Sequence, residues 1–413
     1  MTTPVPAFDE HDPPRADLIG DCVHCGFCLP TCPTYVLWGE EMDSPRGRIY
    51  LMETGLAGEP MTDSMVQHFD QCLGCMACVT ACPSGVQYDK LIEATRQQVE
   101  RRHPRPWLER AKRTAIFGLF PYPRRLRMLR GPLRAYQASG LQRLVRRSGL
   151  LRRAGTLATL EALTPRLGPA ERLPRSVPAR GERRAVVGML TGCVQHAFFP
   201  EVNAATARVL AAEGCDVVIP RQGCCGALSI HNGRDAEARR FAEELLDTFR
   251  EVDRIVVNAA GCGSWLKEYA PDRTRDLSEL LVELGPVAAR QPVPVTVAYH
   301  DACHLAHAQG IRSQPRELLS GIPELRLREI ADPEICCGSA GVWNVLHSAP
   351  AADLGVRKAQ HVLDTNAQLL VTANPGCAMQ VSAALRELGH PIPVAHLAQV
   401  LDASISGHPL PAA

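Results

Sequence analysis

The sequence predicts an α plus α/β protein. A helical N-terminal domain is followed by a helical connector and by two tandem α/β repeats with short parallel sheets. Three observations predict this. Two cysteine runs of identical spacing stand fifty residues apart near the N-terminus, and a strongly basic stretch with helical periodicity follows them. The rest of the chain then runs twice through the same order of strand, cysteine, helix and vicinal cysteine pair.

Composition bounds the chemistry. The chain has 413 residues, 45 Lys+Arg against 44 Asp+Glu, 46% hydrophobic residues and 17 cysteines. That hydrophobic share supports packed cores and excludes wholesale disorder. A net charge of +1 gives no overall attraction to nucleic acid or anionic lipid. The N-terminus, MTTPVPAFDEHDPP, has neither the basic start nor the apolar core of a secretory signal. A cytoplasmic, reducing setting is expected, with contact at the inner face of the cytoplasmic membrane as an open addition. Cysteines in such a setting serve metal or redox chemistry. The longest uncharged stretch, Thr365 to Leu385, is broken by Asn366, Asn374, Pro375 and Gln380, so no membrane span is expected.

Residues 14–100 form the first expected domain. Cys22, Cys25, Cys28 and Cys32 stand at C-x2-C-x2-C-x3-C-P, and Cys72, Cys75, Cys78 and Cys82 repeat that spacing. This is the run of bacterial two-cluster ferredoxins, in which three close thiolates hold one cubane and the fourth crosses to the other. Two [4Fe-4S] clusters are expected, one on Cys22, Cys25, Cys28 and Cys82, the other on Cys72, Cys75, Cys78 and Cys32. Zinc knuckles use paired C-x2-C units instead. Pro33 and Pro83 are expected to turn the chain away, and Gly26 and Gly74 to let backbone N–H groups approach sulfur. A helix is expected around Met61–Phe69. Arg46 and Arg48 either face a cluster or pair with Glu40, Glu41 or Asp43.

Residues 101–184 read as a basic helical connector and a proline-rich linker. Between Arg101 and Arg153 there are 16 Lys/Arg and one acidic residue, Glu109. Leu133, Tyr136, Leu141, Leu144, Val145 and Leu151 recur at helical spacing, which predicts one amphipathic helix over 133–151. Such a helix lies on anionic lipid, docks on an acidic partner, or packs on its own protein with a solvated arginine face. No nucleic-acid recognition motif accompanies it. Pro165, Pro169, Pro174 and Pro178 mark the linker.

Residues 185–290 and 291–413 are the two repeats. In the first, strand 185–190 leads to Cys193. Helix 203–214 and strand 216–219 lead to Cys224 and Cys225 in GCCG, and helix 236–252 and strand 254–258 lead to Cys262. In the second, strand 295–299 leads to Cys303, CCGSAG carries Cys336 and Cys337, and strand 369–373 leads to Cys377. Parallel sheets place their sites at the carboxyl ends of strands. Each repeat thus offers four thiols for a metal, and an additional iron–sulfur cluster or zinc both suit them. His300, His304 and His307 flank Cys303 and read as metal ligands, proton relays or hydrogen-bonded structural residues. Cys215 reads as a small buried hydrophobe.

Two such runs followed by two CCG repeats resemble the iron–sulfur subunits allied to heterodisulfide reductase. CVHCGFCLPTCPTY, SPRGRIYLM, CPSGVQY, NAATARVL, GCCGA, GCGSWLKEY, CCGSAG and VTAN-x-GC narrow the resemblance to the iron–sulfur subunit family of glycolate oxidase (glycolate dehydrogenase). The middle basic region contributes least to it. Ala259 and Asn374 stand where the generic repeat has the first cysteine of a C-x2-C pair, which sets the chain apart from five-cysteine cluster sites. The resemblance implies an electron-transfer subunit with no catalytic residue of its own. Partner flavoprotein subunits would oxidise glycolate to glyoxylate at FAD, and electrons would pass on to membrane quinone. The absence of a G-x-G-x-x-G motif agrees with a flavin held elsewhere. Rival readings are an electron-transfer subunit for another 2-hydroxy acid or for glycerol phosphate, a thiol–disulfide enzyme of the heterodisulfide reductase kind, and a zinc-binding assembly module.

Overall fold

The structure is a computed structural model that describes residues 6–149, 155–168 and 171–412. The N-terminal part is helical throughout. Its helices span Ala16–Gly20, Pro33–Trp38, Pro45–Leu56, Asp63–Gln71, Ala77–Ala81 and Tyr88–Arg102. Pro33 starts a helix rather than simply ending the cysteine run, because a proline at the first helical position loses no hydrogen bond. Ser44 Oγ caps the next by accepting from Gly47 N at 3.0 Å. The helix expected at Met61–Phe69 begins two residues later, since Thr62 is its cap and accepts from Met65 N at 3.2 Å. Met52, Phe69, Leu91 and Ile92 are fully buried and form the core of this part.

Among the described residues the connector has four helices, Trp107–Leu119, Pro123–Ala138, Leu141–Ser148 and Thr156–Leu163. The single helix expected over 133–151 is broken at Gly140, which adopts a left-handed conformation (φ 78°) that an α-helix cannot continue through. Leu151 and Pro169 lie outside the described residues. Several arginines are engaged internally: Arg105 with Asp70 at 2.7 Å, Arg113 with Glu109 at 3.1 Å and Arg146 with Glu161 at 2.9 Å. Met128 (77% exposed) and Leu144 (65%) face solvent.

The first repeat carries β1 (Ser176–Val177), β2 (Ala185–Leu190), β3 (Cys215–Val218), β4 (Arg254–Val257) and β5 (Thr274–Asp276), in the order β1-β3-β2-β4-β5. Only β1 is antiparallel, and it comes from the stretch read as linker. The second repeat carries β6 (Thr296–His300), β7 (Arg326–Glu329), β8 (Leu369–Thr372) and β9 (Val394–His396), all parallel, in the order β7-β6-β8-β9. Leaving β1 aside, the two orders coincide. Val and Ile occupy β4, and Leu and Val β8, without alternation because both faces are covered.

The repeats pack reciprocally. Helix Pro200–Ala212 of the first lies on Leu397–Ser406 of the second, and Ser313–Ser320 of the second lies on Leu277–Leu284 of the first. Each contact thus pairs the helix that leads into β3 or β7 with the other repeat's last helix, a pseudo-two-fold relation. Val187, Met189, Val297 and Tyr299 bury into one core shared by both sheets, and Arg208 meets Asp402 across it at 2.8 Å.

Candidate metal centres

The two N-terminal cysteine loops share one backbone shape. Two and four residues after the first cysteine the chain turns left-handed, at His24 and Gly26 in one loop and at Gly74 and Met76 in the other. Glycine therefore occupies only half of these positions, and His24 and Met76 adopt the same conformation. Gly26 and Gly74 share another constraint: a Cβ on either would stand 2.9 Å from an arginine Nη1, of Arg46 and of Arg96 respectively.

The thiols fall into two groups. Cys32, Cys72, Cys75 and Cys78 line one small cavity together with Arg48 and Tyr88. Cys22 is close enough to Cys25 and Cys82 for each to act on its ionisation, and Cys28 is within reach of both Cys32 and Cys22. The fourth cysteine of the second run thus sits by the first loop. Among the described residues no trio of these thiols falls mutually within 4.8 Å. One tetrahedral zinc would draw its sulfurs to roughly 3.8 Å of one another, whereas a four-iron cube holds them apart by its own width. Four thiols in each group are a donor set that suits an iron–sulfur cluster.

Charge around the second group is organised by Arg48, which is 1% exposed. It ion-pairs Asp43 at 3.1 Å and bonds Thr34 Oγ1 at 3.2 Å. Arg46 pairs with Glu41 at 2.5 Å and donates to His24 O at 2.8 Å. Both arginines thus bind acids and still face a cysteine loop, so the two roles coexist. Burial raises the Cys72 thiol, but Arg48 and then Arg96 outweigh it and hold it below its ordinary value. Burial pushes Cys75 and Cys78 well up, and Cys28 to about 11. Tyr88 Oη donates to Cys72 Sγ at 3.6 Å, and Gly74 N to the same sulfur at 3.4 Å.

All eight repeat cysteines lie at carboxyl ends of strands, beside the point where strand order reverses between β2 and β4, or between β6 and β8. Sγ of Cys193 and Cys224 are 3.8 Å apart, and those of Cys303 and Cys336 3.9 Å. Contact with Cys224, then burial, raises Cys193 well above its ordinary range, and contact with Cys336, then burial, does the same for Cys303. Such thiols keep their protons unless a metal cation replaces them, which fits metal ligation. The glycine after each pair is required. Gly226 and Gly338 are left-handed (φ 93° and 86°), and a Cβ on Gly338 would come within 2.6 Å of Ala351 O. Cys215 starts β3, fully buried in the apolar core.

A cavity of about 190 Å³ lies where the N-terminal part, the connector and both repeats meet, and is lined by Arg96 and by thiols of both repeats, including Cys193, Cys262, Cys303 and Cys377. The three histidines near Cys303 diverge. His304 Nε2 faces Gly74 O at 2.9 Å, and His307 Nδ1 bonds Thr80 at 2.7 Å. His300 Nε2 has no partner among the described residues. Burial, then the charge of Lys358, holds His300 neutral, with its pKa pushed down to about 3. Sequence spacing did not single out Arg96, Tyr88, Lys358 or Asn374 as neighbours of thiols. Asn374 Nδ2 donates to Cys377 Sγ at 3.4 Å from the position where a C-x2-C pair would have its first sulfur. That offset of three was its only local signal.

Comparison with known proteins agrees with this geometry. Residues 19–86 match the 4Fe-4S dicluster domain, and 187–267 and 297–382 the cysteine-rich domain. Residues 108–164 match the linker region of the glycolate oxidase iron–sulfur subunit, so the basic region is a family feature and not the least specific part of the chain. The chain is 36% identical over 411 residues to a probable glycolate oxidase iron–sulfur subunit of Bacillus subtilis, covering 92% of this chain and 93% of that one. It is 34% identical over 387 residues to the glycolate oxidase iron–sulfur subunit of Escherichia coli, covering 88% and 90%. Lactate utilization protein A of Halalkalibacterium halodurans is 27% identical over 234 residues, 52% of this chain and 96% of that protein. A crystal structure of a hypothetical protein from Helicobacter pylori shares the fold at TM-score 0.50 and 9% identity, over 88% of this chain and 67% of that one. With thiol groups suited to iron–sulfur clusters and relatives matched over nearly their whole length, this chain belongs to the glycolate oxidase iron–sulfur subunit family, the electron-transfer component of an oxidoreductase complex.

Proposed function

We propose that this chain takes electrons from FAD-containing partner subunits that oxidise glycolate to glyoxylate and delivers them toward membrane quinone. Cys22, Cys25, Cys28 and Cys82 hold one [4Fe-4S] cluster, and Cys72, Cys75, Cys78 and Cys32 the other. Bound there, the cubanes supply one-electron storage, which lets a two-electron flavin discharge in single steps. Cys193, Cys224, Cys225 and Cys262, and Cys303, Cys336, Cys337 and Cys377, bind metal in the repeats, as a further cluster or as zinc.

One observation supports the direction of flow. Cys75 packs in a single apolar cluster with Cys336, with Cys303 against it, so the second thiol quartet abuts the second repeat. At the other end Cys25 is exposed, flanked by Val23 (68% exposed) and Phe27 (65%). That apolar rim around a solvent-facing thiol suits docking of the flavoprotein. Arg48 and Arg96 place positive charge beside Cys72, which favours the reduced form of a centre there. The solvent-facing connector residues Met128 and Leu144, set among arginines, suit peripheral contact with anionic membrane.

The deciding experiment reconstitutes the complex with Cys75→Ser. Flavin reduction by glycolate should persist while quinone or dye reduction stops; unchanged quinone reduction would overturn the reading. Iron, zinc and acid-labile sulfide in anaerobically purified protein should show at least the iron of two cubanes. Protein without iron refutes the proposal outright.

A further inference from the structure

We infer that His300 is a nitrogen donor to the metal centre of the second repeat, giving that centre a mixed imidazole–thiolate shell that the first repeat cannot form. This rests on the reading that the cysteine-rich repeats bind metal, and it separates two sites that the cysteine pattern alone makes identical.

The geometry is specific. A ring nitrogen of His300 and the sulfurs of Cys337 and Cys377 all lie within 4.8 Å of one another, and all three residues are buried. Among the described residues no other trio of histidine, cysteine or carboxylate donors is that compact. A tetrahedral ion with sulfur at about 2.3 Å and nitrogen at about 2.0 Å brings its donors to roughly 3.5–3.8 Å, so modest side-chain rotation closes the trio. His300 is 2% exposed and its Nε2 has no hydrogen-bond partner among the described residues. Buried imidazoles normally satisfy both nitrogens, as His396 does with Asn258 O at 2.8 Å and Ala398 N at 3.0 Å; His196, His231 and His304 each also leave one nitrogen unpaired, but among the described residues only His300 joins that to a compact pair of thiols. A cation supplies what His300 lacks.

The duplication provides an internal control. His300 stands three residues before Cys303, and the position three before Cys193 is Leu190, buried in the apolar core of the first repeat. A second difference falls on the same thiols. Gly226 and Gly338 each pack against an alanine, Ala238 and Ala351. Seven residues beyond those alanines stand Leu245 and Lys358. Lys358 is 1% exposed, donates to Asp332 O at 2.6 Å and lies close enough to Cys337 and Cys336 for their charges to act on it. The first repeat has two leucines where the second has an imidazole and an ammonium beside the metal-binding sulfurs. The ammonium offsets thiolate charge at the second centre, and a neutral imidazole that takes a thiolate's place lowers that charge further. In an iron site, imidazole in place of thiolate raises the reduction potential; in a zinc site, a Cys2His set leaves a fourth position for Cys336 or water.

The test compares full-length, anaerobically purified wild type with Cys377→Ser, His300→Leu and His300→Cys, reading iron and zinc per chain under chelator challenge. The absorption of the N-terminal clusters serves as the folding control. Whichever metal is lost in Cys377→Ser should fall at least about tenfold in retention in His300→Leu and return in His300→Cys. Its K-edge spectrum should show a nitrogen neighbour in wild type that is absent from His300→Cys. Full metal retention in His300→Leu, or an all-sulfur shell in wild type, overturns the role of His300 and leaves metal binding by the repeat intact. Equal metal content in Cys377→Ser and wild type overturns both together.

Discussion

His304 Nε2 lies 2.9 Å from the carbonyl oxygen of Gly74, so a histidine next to a repeat cysteine is tied to the loop that carries Cys72 and Cys75. The ring is neutral, its pKa pushed to about 3 by burial and then by His231, so Nε2 carries a proton and donates it. The second tie is Thr80 Oγ1 to His307 Nδ1 at 2.7 Å. Together they set the spacing between the N-terminal part and the second repeat, across which the proposed electron path runs. His304→Ala should cost about 1–3 kcal/mol in denaturant unfolding. It should also slow quinone reduction by the reconstituted complex more than flavin reduction; equal slowing of both would contradict this.

The proposed crossed ligation predicts an outcome that sequence neighbours alone would not suggest. Cys32 lines a cavity with Cys72, Cys75 and Cys78, though Cys22, Cys25 and Cys28 are nearer in sequence. Cys32→Ser should therefore alter the same electron paramagnetic resonance signal as Cys78→Ser, and Cys82→Ser the same signal as Cys22→Ser. The uncrossed pairing of effects is the result to look for as a refutation.

Gly338→Ala is expected to be costly twice over. Its φ of 86° disfavours any side chain, and the new Cβ would meet Ala351 O at 2.6 Å. Strain of this kind amounts to about 1–3 kcal/mol, and relief by moving helix Ser348–Asp364 would displace Cys336 and Cys337. Loss of thermal stability together with loss of metal from the second repeat is the expected result, measured by calorimetry and metal analysis. Gly389→Ala is the control: left-handed at φ 79°, with nothing near its Cβ position, it should lower stability and spare the metal.

Two buried groups should give opposite pH slopes over nearly the same window, so that their contributions largely offset one another. Burial, offset in part by Lys90, raises Glu93 to about 7. The folded protein therefore binds the extra proton between about pH 4.3 and 7, and stability declines as pH rises through that window. Burial lowers His396 to about 4. Here the unfolded chain binds the extra proton, so stability declines as pH falls from about 6.5 toward 4. Each shift corresponds to roughly 3 kcal/mol. Relative to wild type, denaturant midpoints for Glu93→Gln should climb as pH rises from about 5 to 7, and those for His396→Gln should climb as pH falls below about 6.5, though the latter start lower because a helix cap is lost. Unaltered slopes would refute the assignments.

Much of this molecule was legible in the sequence because cysteine spacing reports ligand geometry directly. The duplicated strand and cysteine order gave both repeats, with strand ends displaced by only a residue or so: β3 ends at Val218, β4 at Val257 and β6 at His300. What stayed hidden was long-range or conformational. Arg96 lies on a helix well beyond Cys72 and reaches its loop only after folding, and nothing local marks it. The break at Gly140 was masked by continuous apolar spacing on both sides of it. The strands β5, β7 and β9 escaped notice because they are three or four residues long and partly charged, as RLRE at Arg326–Glu329 shows. The distinction between His300 and its neighbours His304 and His307 depends on which ring finds a partner, which spacing does not encode.

The antiparallel strand β1 has a consequence for colloidal behaviour. Two residues, Ser176 and Val177, pair with Val218 and Val217 and so close the open edge of an apolar strand. The corresponding edge in the other sheet, β7, is guarded instead by its own charges, Arg326, Arg328 and Glu329. An uncovered row of N–H and C=O groups on a valine-rich strand recruits a second chain. The proline-rich stretch between connector and repeats therefore does more than join them: its end keeps the first sheet from growing by association between molecules.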